Sequence, residues 1–276
     1  MDSGFYQFNI GVFECTVIDA DTQAWSSEEI LGTVPDELRR QTLQAAGYSP
    51  EELELGYNYL LIATGERRVL IDSGSGNDNF LQNLRAAGIE PGDIDTLVIT
   101  HADSDHIGGL LDTRGQIVFV NARHIMLREA WDLYTSETFL ENSQGYWADF
   151  AREVVPPLKD YVEVIEPDEE ILPGIRVVDA AGHREGHFTL HIYSQDENML
   201  HVSDAIHHPI FLAHQDWLSN FDAYPDIAVQ TRSRLFSFAE RERSLVFVPH
   251  FKYPGLGHLV SEGKSWRWQP ANLQTE

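Results

Sequence analysis

Apolar and β-branched residues recur in short runs along the chain, and each run ends in a polar or glycine-containing segment. Runs of this length and composition are typical of β-strands. The predicted strands cover residues 5–18, 56–62, 68–71, 96–100, 117–120, 174–178, 188–193, 199–202 and 245–248, with the β signal of the second half beginning at residue 162. The pattern therefore predicts a protein with a largely β interior.

Segments with helical spacing of apolar residues lie between these strands. They predict helices over residues 77–87, 123–134 and 227–240. The sequence Ser-Pro-Glu-Glu at 49–52 carries the start signal of a further helix, because serine caps a helix well and proline fits its first turn. The alternation of strands and helices predicts an α/β protein whose helices pack outside the sheets.

The length of 276 residues fits one domain that adds segments to a common core. Residues 19–55 predict an N-terminal elaboration, of which 26–55 is a candidate surface for a homodimer. Residues 135–160 carry aromatic side chains on weak periodicity and predict a lid. No segment has the composition of a linker, so we expect a single domain over residues 1–276.

The net charge is −25, with 44 acidic against 19 basic residues, which argues against binding to nucleic acid or to an anionic membrane surface. The amino terminus lacks the basic and apolar pattern of a signal peptide, and no apolar run is long enough to span a bilayer. We expect a cytoplasmic protein that acts on a small molecule. Since Cys15 is the only cysteine, any metal site must use histidines and carboxylates.

The sequence Thr-His-Ala-Asp-Ser-Asp-His-Ile-Gly-Gly at 100–109 directly follows a predicted strand. It places His101, Asp103, Asp105 and His106 within six positions. Carboxylates held this close are costly to bury unless a cation lies among them, and a divalent metal is the simplest solution. The spacing puts the four side chains on no single helix face, so a loop around the metal is expected.

Further candidate ligands follow later apolar runs. His183 lies in Gly-His-Arg-Glu-Gly-His at 182–187, Asp204 follows the strand at 199–202, and His250 follows the strand at 245–248. His187 is an alternative to His183. A site assembled from several loops at one edge of a sheet would produce this repeated order of strand and ligand.

The order of these motifs resembles the metallo-β-lactamase superfamily, with its HxHxDH motif, a distant histidine, an aspartate and a final histidine. Here the first motif reads HADSDH, with Asp103 where the family has its second histidine. The resemblance implies a four-layer αββα sandwich. The segment 249–268 is similar to the branch that contains methyl parathion hydrolase and lactonase-like hydrolases.

Position by position, the resemblance implies two divalent metal ions with Asp204 between them. The implied ligands are His101, Asp103 and His183 for one ion, and Asp105, His106 and His250 for the other. It also implies hydrolysis of a lactone, ester or phosphotriester by a hydroxide shared between the metals, with Asp105 orienting that hydroxide. His207 stands where lactonase relatives carry a tyrosine three residues after the bridging aspartate, a position from which it could polarise a substrate oxygen.

Zinc is the metal expected from the resemblance. Asp103 adds a harder donor than imidazole, which moves the preference towards manganese or iron. Because an acidic residue at this position also occurs in the flavodiiron branch, a di-iron redox protein is an alternative, and a non-catalytic metal-binding relative is another. Aromatic candidates for an apolar substrate pocket are Trp131, Trp147, Phe211, Trp217 and Phe221.

Overall fold

Two β-sheets lie between helices in the computed structural model, which describes residues 4–272 apart from the side chains of Asp78 and Trp147. The strands of the first sheet are β1 (Phe5–Ile10), β2 (Phe13–Ser26), β3 (Glu52–Ala63), β4 (Arg68–Ile71), β5 (Thr96–Val98), β6 (Arg123–Leu127) and β7 (Val162–Ile165). The strands of the second are β8 (Glu170–Leu172), β9 (Ile175–Asp179), β10 (Phe188–Ser194), β11 (Glu197–His201), β12 (Leu245–Phe247), β13 (Leu256–Glu262) and β14 (Ser265–Pro270). Neighbours in sequence are also neighbours in each sheet.

The helices lie between or after these strands. They are α1 (Ser27–Leu31), α2 (Asp36–Ala45), α3 (Asp78–Ala86), α4 (Ser104–Ile107), α5 (Arg128–Thr135), α6 (Glu137–Asn142), α7 (Tyr146–Val154), α8 (Ile210–Ala213) and α9 (Pro225–Glu242). Within residues 4–272, none of them combines the length and the apolar character that a bilayer crossing requires.

The two sheets pack face to face. Leu60 and Ile62 of β3 belong to one buried cluster with Val177 and Leu190 of the second sheet. Leu61, which points the other way along β3, belongs to a second cluster that includes residues of α1, α2, α3 and α9. Because successive strand residues face opposite sides, a strand buried on both sides is apolar throughout. This arrangement confirms the predicted αββα sandwich.

Two of the predicted helices are confirmed at nearly their predicted bounds. The helix predicted over 77–87 is α3, and Asn77 caps it by accepting a hydrogen bond from the backbone N–H of Phe80. The helix predicted over 227–240 is α9. In both cases the helical spacing of apolar residues extends over at least two turns, which makes the periodicity unambiguous.

The helix predicted to start at residues 49–52 is wrong. Ser49 does accept hydrogen bonds from the backbone N–H groups of Glu51 and Glu52, as a capping serine would. The chain nevertheless continues as β3, whose residues 52–63 pair with β2 over the whole length of both strands. Sheet pairing and burial of alternate leucines therefore override the local capping signal.

The predicted strand over 117–120 and the predicted helix over 123–134 are also partly wrong. Residues 117–120 contain only an isolated bridge, between Ile117 and Leu111. The first part of the predicted helix is instead strand β6, and only the second part is helical, as α5. Ile125 faces the space between the sheets, whereas Met126 faces the helices. A strand that is buried on both sides has adjacent apolar residues on opposite faces. The same two residues also fit the helical spacing of apolar residues that continues to residue 134.

The polar ends of several strands meet at one edge of the sandwich. The ends of β4 and β5 in the first sheet lie opposite the β9–β10 loop and the ends of β11 and β12 in the second. Ser203 Oγ, after β11, donates a hydrogen bond to Thr100 Oγ1, after β5, over 2.9 Å. This contact joins the two sheets at the point where the predicted ligands emerge.

Candidate metal centre

The loop after β5 is shaped by close backbone contacts. Asp72, after β4, accepts hydrogen bonds from both the backbone N–H and the hydroxyl of Thr100, each 2.8 Å long. A Cβ atom at Gly109 would lie 2.0 Å from the carbonyl oxygen of Ser73, so only glycine fits there. The glycine pair of the motif therefore lets the ligand loop and α4 pack directly against the end of β4.

Asp105, His106, Asp204 and His250 form one candidate group, whose donor atoms all lie within 4.8 Å of one another. His106 Nε2 lies 3.2 Å from Asp204 Oδ1 and 3.4 Å from Asp105 Oδ2. His250 Nε2 lies 3.2 Å from Asp204 Oδ2 and 3.6 Å from Asp105 Oδ2. We call this group the first position. It brings together the three ligands and the shared aspartate that the sequence predicted for one ion.

The second position lies on the other side of Asp204, around His183. His183 Nε2 is 3.5 Å from Asp204 Oδ2 and 3.3 Å from Asp103 Oδ2. His101 Nε2 is 3.8 Å from each of the same two oxygens. His207 also reaches Asp204, with Nε2 3.4 Å from Oδ2. All the predicted ligands of the other ion are therefore present, together with one histidine that was not predicted as a ligand.

Hydrogen bonds on the far side of three rings orient the imidazoles. His106 Nδ1 lies 2.8 Å from Asp72, His183 Nδ1 lies 3.2 Å from Asp222, and His250 Nδ1 lies 2.9 Å from the carbonyl oxygen of Gly56. An Nδ1–H that is donated outward leaves the lone pair of Nε2 pointing inward, which is the arrangement found for metal-binding histidines. Asp72 and Asp222 thus support one position each.

The buried donors at the centre are not satisfied by the protein itself. Across the described residues 4–272, the buried side-chain atoms without a hydrogen bond include Nε2 of His101, His106, His183 and His207 and Oδ1 of Asp204. Buried polar atoms are rarely left without a partner. Five such atoms that face one another fit divalent cations with nitrogen and oxygen ligands.

The electrostatics of the cluster also favour positive charge. Burial opposes protonation of His106, but the carboxylates of Asp204, Asp105 and Asp72 raise its pKa well above the ordinary value. Burial likewise opposes ionisation of Asp204, yet the surrounding imidazoles, His250 first among them, hold its pKa well below the usual range. The site is therefore built to keep Asp204 ionised, as a carboxylate between two cations must be.

The buried carboxylate of Asp103 makes an ion pair with the partly buried Arg184 that the sequence did not predict. Arg184 Nε lies 2.7 Å from Asp103 Oδ1, and a terminal guanidinium nitrogen lies 2.6 Å from Oδ2. The imidazole of His183 and this guanidinium lower the pKa of Asp103 despite its burial. Whether Asp103 is a metal ligand stays a prediction, since its two oxygens already have a cationic partner.

His187 was the alternative to His183. Its Nδ1 lies 2.8 Å from the carbonyl oxygen of Ala180, and its Nε2 accepts a hydrogen bond from the backbone N–H of Asp204 over 3.3 Å. Burial lowers the pKa of His187 to about 3, so the ring is neutral. His187 therefore positions Asp204 from behind, while His183 faces the cluster.

A cavity of about 350 Å³ opens over the two positions. Of the predicted aromatic lining, Phe221 is present, whereas Phe211 is fully buried against Arg232 and Trp217 stacks on His214. Trp131 packs against the core, and the side chain of Trp147 lies outside the described residues. The aromatic residues that the sequence did not predict are Trp25, Tyr57 and Tyr146. Trp25 and Tyr57 lie on the paired strands β2 and β3, so their alternation along the strands was the available signal.

The structure combines a two-sheet sandwich, with helices outside, and a cluster of histidines and aspartates at one edge, an arrangement that fits binuclear metal-dependent hydrolases. A model of the metallo-β-lactamase superfamily matches residues 54–250. The chain belongs to this superfamily and is a metal-dependent hydrolase. The match leaves the predicted N-terminal elaboration almost entirely outside.

Among curated relatives, an N-acyl homoserine lactonase of Bacillus thuringiensis is 26% identical over 194 residues, which are 70% of this chain and 67% of that protein. A probable metallo-hydrolase of Mycobacterium tuberculosis is 27% identical over 54% of this chain and 56% of that protein. Two solved structures share the fold. AidC, described as a dizinc quorum-quenching lactonase, has a TM-score of 0.90 at 22% identity and covers 99% of both chains. The hydrolase AbOPH has a TM-score of 0.88 at 22% identity and covers 100% of both.

Proposed function

We propose that this protein is a zinc-dependent lactonase that opens the ring of N-acylated lactones. The observation that carries the proposal is the set of unpaired, buried imidazole nitrogens around Asp204, beneath a cavity whose wall includes Trp25, Tyr57 and Phe221. The lactonases among the relatives support the substrate class, since they are described as acting on N-acyl homoserine lactones.

In the proposed site, Asp105, His106 and His250 would hold one metal ion, and His101 and His183 would hold the other. Asp204 would serve both, because its carboxylate oxygens lie 3.2 Å from the imidazoles of His106 and His250 and 3.5 Å from that of His183. The remaining donor of the second position is Asp103 or His207. When bound, two such ions supply an ionised water as nucleophile and polarise the carbonyl oxygen of the substrate.

The protein's own groups then orient the reactants. Asp105 is partly exposed to the cavity, and its Oδ2 lies between His106 and His250, where it can accept the proton of the attacking water. Tyr57 accepts a hydrogen bond from Trp25 Nε1 over 3.0 Å, so its own proton is available to an oxygen in the cavity. Burial raises the pKa of Tyr57 above its usual value, which keeps that proton in place.

The cavity wall fits an acyl chain. Trp25 and Leu55 come from the paired ends of β2 and β3, and Phe221 comes from the loop before α9. The rings of Trp25 and Phe221 meet edge to face with centroids 5.2 Å apart. This apolar corner next to the metal positions suits a substrate that carries a hydrocarbon chain beside a hydrolysable ring.

The test is metal analysis combined with an activity panel on the same preparation. We expect about two equivalents of zinc, ring opening of N-acyl homoserine lactones with a preference for longer acyl chains, and loss of activity on chelation. Simple aryl esters and a phosphotriester serve as comparison substrates. Iron with visible absorbance and no hydrolysis across the panel would instead identify the di-iron redox alternative.

The N-terminal segment 26–55 remains our proposal for a homodimer contact. It contains α1 and α2, and Leu38 of α2 is 49% exposed. Light scattering of the purified protein decides this point: a mass near twice 31.3 kDa supports the dimer, and a mass near 31.3 kDa contradicts it.

A further inference from the structure

Both carboxylate oxygens of Asp103 are occupied by the guanidinium of Arg184. The two contacts of 2.7 and 2.6 Å form a two-point, charge-assisted pair. Such a pair neutralises the carboxylate and directs its lone pairs towards the guanidinium. A metal ion bound by Asp103 would have to share these oxygens with a cation.

The Arg184 guanidinium cannot readily leave. Its Nη1 donates hydrogen bonds to the backbone carbonyl oxygens of His183, over 2.9 Å, and Phe221. The side chain is therefore fixed by two backbone segments as well as by Asp103. A second cation placed next to Asp103 would be repelled at short range in a poorly hydrated environment.

The ligand groups around His183 are alternatives for a single ion. His183 belongs to one group with His101 and Asp103 and to another with Asp204 and His207. Its Nδ1 is engaged by Asp222, so only one lone pair, on Nε2, remains for a metal. The ion therefore lies either towards Asp103 or towards His207.

The surroundings of His207 favour the second choice. Its Nε2 is buried, forms no hydrogen bond of good geometry and lies 3.4 Å from Asp204 Oδ2. The ring is packed between Phe221 and His250, with centroids 5.4 and 5.7 Å away. The carboxylate next to His207, that of Asp204, is contacted by histidines, whereas the carboxylate of Asp103 is paired with Arg184.

We propose that His207, with His183 and Asp204, holds the metal ion of the second position, and that Asp103 serves as the counter-ion of Arg184. The inference rests on the proposed function in requiring two metal ions. It gives the second position three imidazoles, those of His101, His183 and His207, because His101 Nε2 also lies 3.8 Å from Asp204 Oδ2. An imidazole-rich set suits zinc, so the shift towards manganese or iron expected from Asp103 does not arise. His207 is then committed to the metal and does not polarise a substrate oxygen.

The experiment compares zinc content in three variants at matched free zinc. His207→Ala is expected to retain one of two equivalents. His208→Ala is the matched control, because the neighbouring imidazole is also buried but packs against Tyr48, with ring centroids 4.5 Å apart. The double variant D103N/R184Q replaces both partners of the ion pair, which avoids leaving one buried charge alone, and is expected to retain two equivalents.

Two outcomes overturn the inference: retention of two equivalents by His207→Ala, or loss of one by D103N/R184Q. If a variant fails to fold, a direct measurement on the unmodified chain still tests the inference. In protein loaded with ¹¹³Cd, we expect a scalar coupling between the metal and the ring of His207. Couplings to His183 and His106 without one to His207 would contradict the inference. A wild type with fewer than two equivalents counts against the proposed function before any variant is compared.

Discussion

The two metal positions share Asp204 but differ in what surrounds them. At the first position, His106 and His250 are supported by Asp72 and by a backbone carbonyl, and no arginine among the described residues is paired with its carboxylates. At the second position, the partly buried Arg184 is paired with the carboxylate of Asp103. A motif residue whose oxygens are paired with an arginine, as those of Asp103 are, is therefore a weaker candidate for a metal ligand than a residue whose buried donor atom has no partner.

The largest effect is expected where the two positions meet. Asp204→Ala removes the carboxylate oxygens that face His106, His183 and His250, so both ions should be lost together. We expect kcat/KM for lactones to fall by about 10³-fold or more, because no activated water remains. Zinc content and kinetics on the same sample check this.

Asp216→Asn is the matched control, since Asp216 is exposed and lies beyond the site. It should keep both ions and full activity. Retention of two equivalents in Asp204→Ala would show that Asp204 does not join the two positions.

Breaking the support of the first position should separate it from the second. Asp72→Asn removes an acceptor that lies 2.8 Å from His106 Nδ1. Asparagine tolerates the positive φ of 61° at this residue, so the backbone should remain in place. We expect about 10- to 100-fold weaker binding of one ion, measured by competition with a chromophoric chelator. Equal weakening of both ions would contradict the assignment of Asp72 to the first position.

The matching change at the second position is Asp222→Asn. Asp222 lies 3.2 Å from His183 Nδ1 and 3.7 Å from a nitrogen of the buried Arg232. The contact between Asp222 and His183 is longer, and therefore weaker, than the 2.8 Å contact between Asp72 and His106. We therefore expect about tenfold weaker binding of the other ion. The double variant D72N/D222N should show the two losses side by side in one chelator titration. A single loss in the double variant would mean that both aspartates support the same ion.

The smallest effect on the metal site is expected from a histidine that lies outside both positions. The pKa of this histidine is lowered, whereas that of His106 is raised. His124 of β6 is fully buried, and burial lowers its pKa from 6.5 to about 4. The unfolded chain binds a proton below pH 6.5 while the folded chain does not, so stability contributed by neutral His124 is present above pH 6.5 and is lost as the pH falls towards 4. His124→Gln should reduce this acid sensitivity by about 1–3 kcal/mol.

Urea denaturation of metal-free protein at pH 7.5 and pH 5 measures the effect. His258→Gln is the matched control, because it makes the same substitution at an exposed position. An unchanged pH dependence in His124→Gln would show that His124 is not the group responsible.

The sequence predicted which side chains come together because these residues follow strand ends in a definite order. His101, Asp105 and His106 are close together in the chain, in the short segment after β5. Asp204 and His250 were predicted from their places after later strands, which the second sheet brings to the same edge. The alternation of strands and helices predicted helices outside a largely β interior, and the resemblance to the metallo-β-lactamase superfamily implied the four-layer sandwich.

The rest depended on contacts between distant segments. Asp103 and Arg184 are 81 positions apart in the chain, so no local sequence pattern predicts their ion pair. The cavity wall formed by Trp25 and Tyr57 requires the pairing of β2 with β3. The sequence did not predict this pairing, because the capping signal at Ser49 indicated a helix where β3 begins. The exchange of strand and helix around residues 117–127 arose because short apolar runs fit both periods.

Anomalous diffraction at the zinc edge from crystals of the purified protein tests the two-metal account most directly. We expect two zinc peaks, one on each side of Asp204. One peak should lie within bonding distance of His106 and His250, and the other within bonding distance of His183 and His207. A single peak, or a second peak bonded to Asp103 instead of His207, would contradict it.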